Sequence, residues 1–209
     1  MIKEFLKSFM PQMVLTLQES PESKKIIYDW KKNGCPVPPP HLVKQETISE
    51  YQKQFGYTTL IETGTYMGDM VDAQKKRFKK IISIELGVDL FEKAKKRFRN
   101  DKNVLIMQGD SGKVLPKIVL DLKEPAIFWL DGHYSAGITA KGDKECPIFE
   151  ELNSIFISNK FNHILLIDDA RCFIGEGDYP SIEKLTEYIR NKNKNYKVEV
   201  KHDIIRCVI

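Results

Sequence analysis

The stretch "TTLIETGTYMG" at residues 58–68 joins a short apolar run to a turn that contains two glycines. The run is rich in β-branched side chains, which favours a buried strand, and Gly64 and Gly68 follow it directly. Glycines at a strand-to-helix turn let a ligand approach the backbone, and the amides that begin the helix can bind an anion. A tight turn without a ligand needs glycine equally, so this stretch alone leaves both interpretations open.

The chain beyond this stretch alternates apolar runs with segments of helical pattern. Each run is apolar nearly throughout, which is typical of parallel strands covered on both faces. The alternation predicts an α/β fold with a doubly wound, Rossmann-like sheet. After a helix at about 180–192, two adjacent β-rich runs predict a closing antiparallel hairpin. The other strands are predicted at 58–63, 80–85, 103–108, 126–131 and 163–169, and the helices between them at 68–79, 88–99, 111–122 and 146–158.

Residues 1–56 have a different character, with a helical pattern that the proline-rich stretch "NGCPVPPPH" at 33–41 interrupts. Proline forbids helix there and favours an extended connector. We interpret residues 1–56 as an N-terminal helical cap and residues 57–209 as the main domain. The first apolar helix suits packing on the domain or on a second copy in a homodimer, and its interruptions argue against a signal peptide or a membrane span.

The composition is that of a folded globular protein. Of 209 residues, 42% are hydrophobic and 30% are charged, with a net charge of +4. The lysine-rich runs at 75–80 and 93–99 carry apolar residues at helical spacing, which favours solvated faces of amphipathic helices over a nucleic-acid surface. The four cysteines are scattered without metal-binding spacing, which indicates reduced thiols in a cytoplasmic protein.

Acidic residues follow the predicted strands. Ligands of an open parallel sheet bind beyond the carboxyl ends of its strands, so these residues are candidates for a site. Glu85 lies about 20 residues beyond the glycine turn, where a carboxylate can accept hydrogen bonds from ribose hydroxyls. The other strand ends carry Asp110 with Ser111, then Asp131, and then Asp168 with Asp169.

Together these motifs resemble those of the class I S-adenosylmethionine (SAM)-dependent methyltransferases over about residues 58–209, including the terminal hairpin. The resemblance implies a seven-stranded sheet with its last strand antiparallel, and SAM as the cofactor. The family often has a further glycine where Tyr66 stands, but sugar and natural-product O-methyltransferases commonly lack it. The resemblance also implies cofactor contacts from the turn residues Glu62, Gly64, Thr65 and Gly68 to the amino-acid part, from Glu85 to the ribose, and from Asp110 and Ser111 to the adenine.

Two related enzyme classes fit less well. A nicotinamide dehydrogenase would need a third glycine, which "GTYMGD" at 64–69 lacks. Enzymes that methylate nucleobase amines typically have two prolines and an aromatic residue after the acid that ends the fourth strand, whereas this chain has Gly132, His133 and Tyr134 after Asp131. A noncatalytic cofactor-binding module and an RNA methyltransferase that uses the lysine-rich helices are the remaining alternatives.

The chemistry of methyl transfer draws attention to His133. A hydroxyl acceptor must lose its proton as the new bond forms, and a neutral imidazole can take that proton near pH 7. We predict His133 and Asp131 as catalytic residues, with His133 as the general base. The alternative is a His133 that only forms a structural hydrogen bond at the strand end.

Three carboxylates, those of Asp131, Asp168 and Asp169, are expected to converge because their strands are neighbours in this fold. Unpaired, they would raise one another's pKa, and Mg²⁺ would relieve that repulsion and could hold an acceptor oxygen. Metal-dependent O-methyltransferases acting on catechols and on sugars of natural products show a similar arrangement. The alternative is that Asp169 pairs with Arg171 and that Asp131 contacts the cofactor or helix amides.

Two polar stretches, 134–145 and 170–180, emerge at the same edge and are expected to close over an acceptor. Their charge favours a small polar molecule, such as a sugar or glycan precursor, with Tyr134, Lys141 and Arg171 binding it. Lys44 and His41 are expected to approach this cleft from the cap. The sequence therefore predicts a SAM-dependent O-methyltransferase of carbohydrate biosynthesis.

Overall fold

The computed structural model describes residues 20–132, 145–158 and 160–209. These residues form one seven-stranded sheet with helices on both faces. Its strands are β1 (Thr59–Thr63), β2 (Lys80–Glu85), β3 (Val104–Gln108), β4 (Ala126–Leu130), β5 (Ile164–Ile167), β6 (Lys197–Lys201) and β7 (Ile204–Val208).

The strand order is β3-β2-β1-β4-β5-β7-β6. Strands β1 to β5 are parallel, and β7 runs antiparallel to its neighbours β5 and β6. The chain reverses its direction of winding between β1 and β4, which is where open α/β sheets bind ligands. The predicted seven-stranded sheet with an antiparallel last strand is confirmed.

The helices of the described residues follow the predicted segments closely. The predicted helix at 68–79 is shorter in the structure and ends at Gln74. The turn that follows places the Phe78 side chain in the core before β2 begins. The predicted helix nearest the N-terminus lies outside the described residues. The bounds are α1 (Pro21–Lys32), α2 (His41–Phe55), α3 (Asp69–Gln74), α4 (Val88–Arg97), α5 (Ser111–Asp121), α6 (Ile148–Ile155) and α7 (Ile182–Lys192), with a short 3₁₀ helix at Ala170–Cys172.

Apolar side chains fill both faces of the sheet. Leu60 and Trp129 belong to one buried cluster, which α2 and α3 cover, and Ile61 and Phe128 belong to the other, which α5, α6 and α7 cover. Because successive strand residues point to opposite faces, both sets must be apolar. This packing explains why the strand sequences do not alternate between apolar and polar residues.

The lysine-rich run at 93–99 lies on an amphipathic helix, as the spacing predicts. Ala94 of α4 and Phe98 just beyond it are buried, whereas Lys95 and Lys96 are exposed. All four cysteines are free. Among the described residues, no helix has both the length and the apolar character needed to cross a membrane.

Candidate functional site

Backbone hydrogen bonds continue past the ends of the central strands and align the residues that follow them. Each bond joins a residue just beyond one strand to a residue at the end of its neighbour, which brings the strand ends into register at one edge. The bonds run from Gly64 N to Ile84 O (2.9 Å), from Gly109 N to Glu85 O (2.9 Å), from Asp131 N to Thr63 O (3.2 Å) and from Asp168 N to Leu130 O (3.0 Å).

The turn after β1 contains two glycines, and a separate close contact requires glycine at each position. Gly64 has φ +82°, and a Cβ there would collide with the backbone oxygen of Asp131 and lie 2.9 Å from its carbonyl carbon. Gly68 also has φ +82°, and its Cβ would lie 2.7 Å from the Phe98 ring. Only glycine accommodates both the left-handed backbone and this close packing. Contacts within the protein therefore explain both glycines, and they lie at the switch point of the sheet.

Tyr66 stands where the family that this chain resembles often has a further glycine. Its φ of +48° lies in the left-handed region, and its backbone N–H donates to Glu85 Oε2 at 2.8 Å. The other oxygen of Glu85 accepts from Gly87 N, also at 2.8 Å. The structure thus joins the glycine turn and the acid at the end of β2 into one hydrogen-bonded unit, and the tyrosine does not disrupt it.

Glu62 lies beneath the turn in a buried polar network. The Ser83 hydroxyl donates to Glu62 Oε2, and the Thr65 and Ser83 hydroxyl oxygens are 2.6 Å apart. Burial raises the pKa of Glu62 to about 8, with a smaller contribution from the nearby Glu85. Glu62 is therefore largely protonated at neutral pH. Sequence reasoning did not find Ser83, because a serine inside an apolar strand carries no motif.

Asp110 and Ser111 begin α5 and already have local partners. Asp110 Oδ1 accepts from Gly112 N at 2.9 Å, and Asp110 Oδ2 lies 3.2 Å from the Lys113 ammonium. The Ser111 hydroxyl donates to Glu151 Oε1 at 2.6 Å. These contacts hold the turn after β3 in place beside the turns after β1 and β2.

Glu151 is a site residue that sequence reasoning missed. It is buried in the first turn of α6, and its carboxylate also lies against Gly132, where an added Cβ would be 2.7 Å from Oε1. It thus bridges the ends of β3 and β4. The signal was present in the sequence, since Glu151 falls at helical spacing with Ile148 and Ile155 on the buried face of α6.

The predicted carboxylate cluster is present. One ligand oxygen from each of Asp131, Asp168 and Asp169 lies within 4.8 Å of the others. Lys44, from the first turns of α2, contacts Asp168 and lies 3.3 Å from Asp169 Oδ1. The cap therefore contributes to this edge of the sheet. His41 instead is hydrogen-bonded to Gln45, with 2.8 Å between the ring Nδ1 and the amide Nε2.

Arg171 forms the ion pair with Asp169 that the sequence raised as an alternative to a metal. Its Nη1 lies 2.7 Å from Asp169 Oδ1 and also contacts Asp203 Oδ2, while its backbone N–H donates to Asp203 Oδ1 at 2.8 Å. Asp203 comes from the turn between β6 and β7, which no motif marks. The guanidinium predicted to bind substrate is thus shared between two carboxylates of the protein.

Burial and mutual repulsion set the electrostatics of the cluster. Burial raises the pKa of Asp131 well above its ordinary value, and Asp168 raises it further. Burial also raises the pKa of Asp168, and Lys44 opposes that rise. Burial alone would lower the pKa of the Lys44 ammonium, but the attraction of Asp168 and, less strongly, Asp131 and Asp169 raises it. Lys44 is therefore charged.

Three predicted site residues, His133, Tyr134 and Lys141, lie outside the described residues. The structure describes the chain up to Gly132 and again from Glu145. Their proposed roles stay predictions that rest on the sequence.

The fold is shared with solved methyltransferases. The chain is similar to an O-methyltransferase from Bacillus cereus in complex with SAH, with a TM-score of 0.60, 12% identity, and coverage of 100% of this chain and 97% of that chain. It is also similar to the O-methyltransferase TomG from Streptomyces achromogenes, involved in Tomaymycin synthesis and in complex with SAM, with a TM-score of 0.60, 13% identity, and coverage of 100% and 95%. The chain has the class I SAM-dependent methyltransferase fold.

The SAH-bound methyltransferase PaMTH1 from Podospora anserina has the same fold, with a TM-score of 0.55 and 12% identity over 99% of this chain and 93% of that one. No protein-family profile matches the chain. No curated protein sequence matches it either. At these identities the similarity establishes the class I fold, and the residues at the strand ends carry the functional argument.

Gly64→Ala is expected to destabilise the fold strongly. The left-handed φ alone costs about 1–2 kcal/mol for a residue with a Cβ, and the collision with the Asp131 carbonyl adds to this because hydrogen bonds hold both strand ends. Gly34→Ala is the matched control, since Gly34 has φ +81° and nothing within 4 Å of an added Cβ. Urea unfolding measures both variants. Equal losses of unfolding free energy would show that the close approach does not matter.

Glu62→Gln is expected to remove a pH dependence of stability. Because the pKa of Glu62 is raised to about 8 from an ordinary value of 4.5, the folded chain keeps a proton that the unfolded chain releases between those values. Its stabilising contribution is thus fully present below pH 4.5 and is lost as the pH rises through about 8, at up to about 1.4 kcal/mol per pH unit. Urea unfolding of both proteins at about pH 5 and about pH 8 measures this loss. If the difference in unfolding free energy between wild type and Glu62→Gln is the same at both pH values, the pKa of Glu62 is ordinary in the folded chain.

Proposed function

We propose that this protein is a SAM-dependent O-methyltransferase that acts on a small polar acceptor. The observation that carries the proposal is the hydrogen bond between the Tyr66 amide and the Glu85 carboxylate. It joins the exposed backbone of the glycine turn to a buried acid at the end of β2, at the position where dinucleotide-binding sheets hold a ribose. Each Glu85 oxygen accepts from one backbone amide and keeps a second acceptor position, with which it could bind a ribose hydroxyl.

The strand ends fit SAM by their chemistry. The turn from Glu62 to Gly68 would hold the amino-acid part, Glu85 would accept hydrogen bonds from the ribose hydroxyls, and Asp110 with Ser111 would lie beside the adenine. The close contact of Gly64 with the Asp131 carbonyl brings the end of β4 beside this turn. When bound, SAM supplies a methyl group that is activated by its sulfonium.

The protein's own residues would supply proton transfer and orientation. His133 follows Asp131 by two residues at the end of β4, and as a neutral imidazole it would take the proton of the acceptor hydroxyl. The Asp131 backbone N–H is 3.2 Å from both Thr63 O and Thr63 Oγ1, which holds the start of this segment against β1. Asp131 would orient the acceptor or the imidazole from this fixed position.

The character of the edge supports a polar acceptor, such as a sugar or glycan precursor. The described side chains there are charged: Asp168 and Asp169, which follow β5, Lys44 from the cap, and Arg171. Tyr134 and Lys141 would add further contacts. Such an edge favours hydroxyl-rich or charged molecules over lipids, since burying these groups against an apolar acceptor would cost free energy.

The sequence also suggests Mg²⁺ at Asp131, Asp168 and Asp169. The spacing of their oxygens suits such an ion, but the Lys44 ammonium contacts two of the three carboxylates. A divalent ion bound to Asp168 and Asp169 would lie close to the Lys44 ammonium, and the two positive charges would repel each other. No step of the proposed reaction therefore uses a metal.

Glu85→Ala is expected to abolish the rise in melting temperature that SAM produces and to weaken SAM binding on the order of 100-fold, since it removes the hydrogen bonds to the ribose and those that hold the Tyr66 and Gly87 amides. Glu92→Ala, which removes an exposed acid from α4, is the control and should bind like wild type. Isothermal titration calorimetry on cofactor-stripped protein measures both. Absence of SAM binding to the wild-type protein would refute the proposed function.

His133→Ala is expected to keep the wild-type affinity for SAM and to lose methyl transfer by a factor of about 10²–10⁴, the usual contribution of a general base. His133→Gln tests the alternative, because glutamine can form a structural hydrogen bond but cannot take the proton. Turnover of wild type and both variants is measured with labelled SAM and a panel of nucleotide sugars, phosphate conjugates and phenols. An active His133→Gln would assign His133 a structural role.

A further inference from the structure

The most unusual feature of the site is a lysine from the cap inserted among the three carboxylates. Lys44 lies 124 residues away from Asp168 in the sequence, yet its ammonium contacts Asp168 and Asp169. Its side chain is 14% exposed and that of Asp168 is fully buried. This is therefore an internal ion pair and not one of the solvated pairs that form and break at a protein surface.

The helix segment around this lysine is held from two sides. Thr47 Oγ1 donates to Val43 O at 2.9 Å and accepts from Arg206 Nη2 of β7 at 3.2 Å. On the other side, Gln74 Nε2 of α3 donates to Gln45 O at 2.9 Å. The backbone of α2 is thus docked on the last strand and on the helix that follows the glycine turn. The ammonium cannot leave the cluster by a movement of its helix without breaking these contacts.

Three close, buried carboxylates repel one another, and a hard divalent ion or an ammonium can relieve that repulsion. Arg171 does not fill this role for Asp168 and Asp131, because its guanidinium lies between Asp169 and Asp203. Lys44 contacts Asp168 directly, and its charge also acts on Asp131. The lysine thus sits where a bridging cation would be placed.

We infer that Lys44 occupies the cation position of the carboxylate cluster, so that an ammonium from the cap takes the role that a divalent metal would otherwise have. Lys44 is then a positioning residue, which holds Asp168 and Asp169 at fixed places beside Asp131. Its importance for methyl transfer rests on the proposed function, but its occupation of the cation position does not. The inference also makes docking of α2 a condition for a complete site.

The experiment measures binding of Mn²⁺ alone to the full-length chain, by electron paramagnetic resonance of free Mn²⁺. Lys44→Met removes the charge at similar side-chain length and should open the cluster to the ion, tightening Mn²⁺ binding at least about tenfold over wild type. Lys44→Arg keeps the charge and should bind as weakly as wild type. Lys53→Met removes an exposed lysine from the same helix and is the control, which should also match wild type. Adding Asp168→Asn to Lys44→Met should abolish the gain.

Three results would overturn the inference. In the first, wild type binds Mn²⁺ as tightly as Lys44→Met does, and Asp168→Asn abolishes this binding. The cluster would then be a metal site despite the lysine. Another is an equal gain in Lys53→Met, which would show a general charge effect. The third is no gain in a folded Lys44→Met, which would mean that there is no cation position. Should Lys44→Met fail to fold, Lys44→Gln takes its place as the uncharged variant in the same measurement. Titration of SAM on the wild-type protein tests the proposed function separately.

Discussion

The close approach of the ends of β1 and β4 is the constraint on which the rest of the site depends. Gly64 passes so near the Asp131 carbonyl that no side chain fits between them, and the Asp131 amide is hydrogen-bonded to Thr63. This contact joins the two halves of the sheet at the switch point. It places the glycine turn beside Asp131 at the same edge of the sheet.

Two polar networks extend from this junction in opposite directions. Toward β2 and β3, the hydrogen bonds of Glu62, Glu85 and Ser111 connect the turns that would hold a cofactor. Toward β5 and β7, Asp168 and Asp169 meet cations from the cap and from the loop after β5. The two networks differ in kind, since one is built from carboxylates bonded to amides and hydroxyls and the other from ion pairs.

The cap has a defined place in this arrangement. The proline-rich connector ends at Pro40, which precedes the first residue of α2. The helix then runs across β4 and α3 and ends at Phe55, with Gly56 as its C-cap. Buried α2 residues such as Ile48 make the helix part of one face of the core. The connector thus does more than separate two units, because it starts α2 where a lysine in its first turns meets the strand ends.

Much of the fold could be predicted because it follows from local patterns. Apolar runs of strand length separated by amphipathic segments are enough to predict a parallel sheet, and the acids that end those runs are enough to predict that Asp131, Asp168 and Asp169 converge. The roles of Ser83 and Asp203 could not be predicted, since a serine in a strand and an aspartate in a turn have no distinguishing spacing. Glu151 could have been found from its place on the apolar face of α6.

The sequence by itself determined the order of the elements, the glycine turn and the acids at the strand ends, because these depend on residue type and spacing along the chain. Only the tertiary structure decided what those acids contact. Lys44 contacts Asp168, which lies 124 residues away in the sequence, and Arg171 contacts Asp203, which lies 32 residues away. Such contacts depend on how helices and strands dock in three dimensions, and the free energy of that docking is spread over many buried side chains that no local motif records.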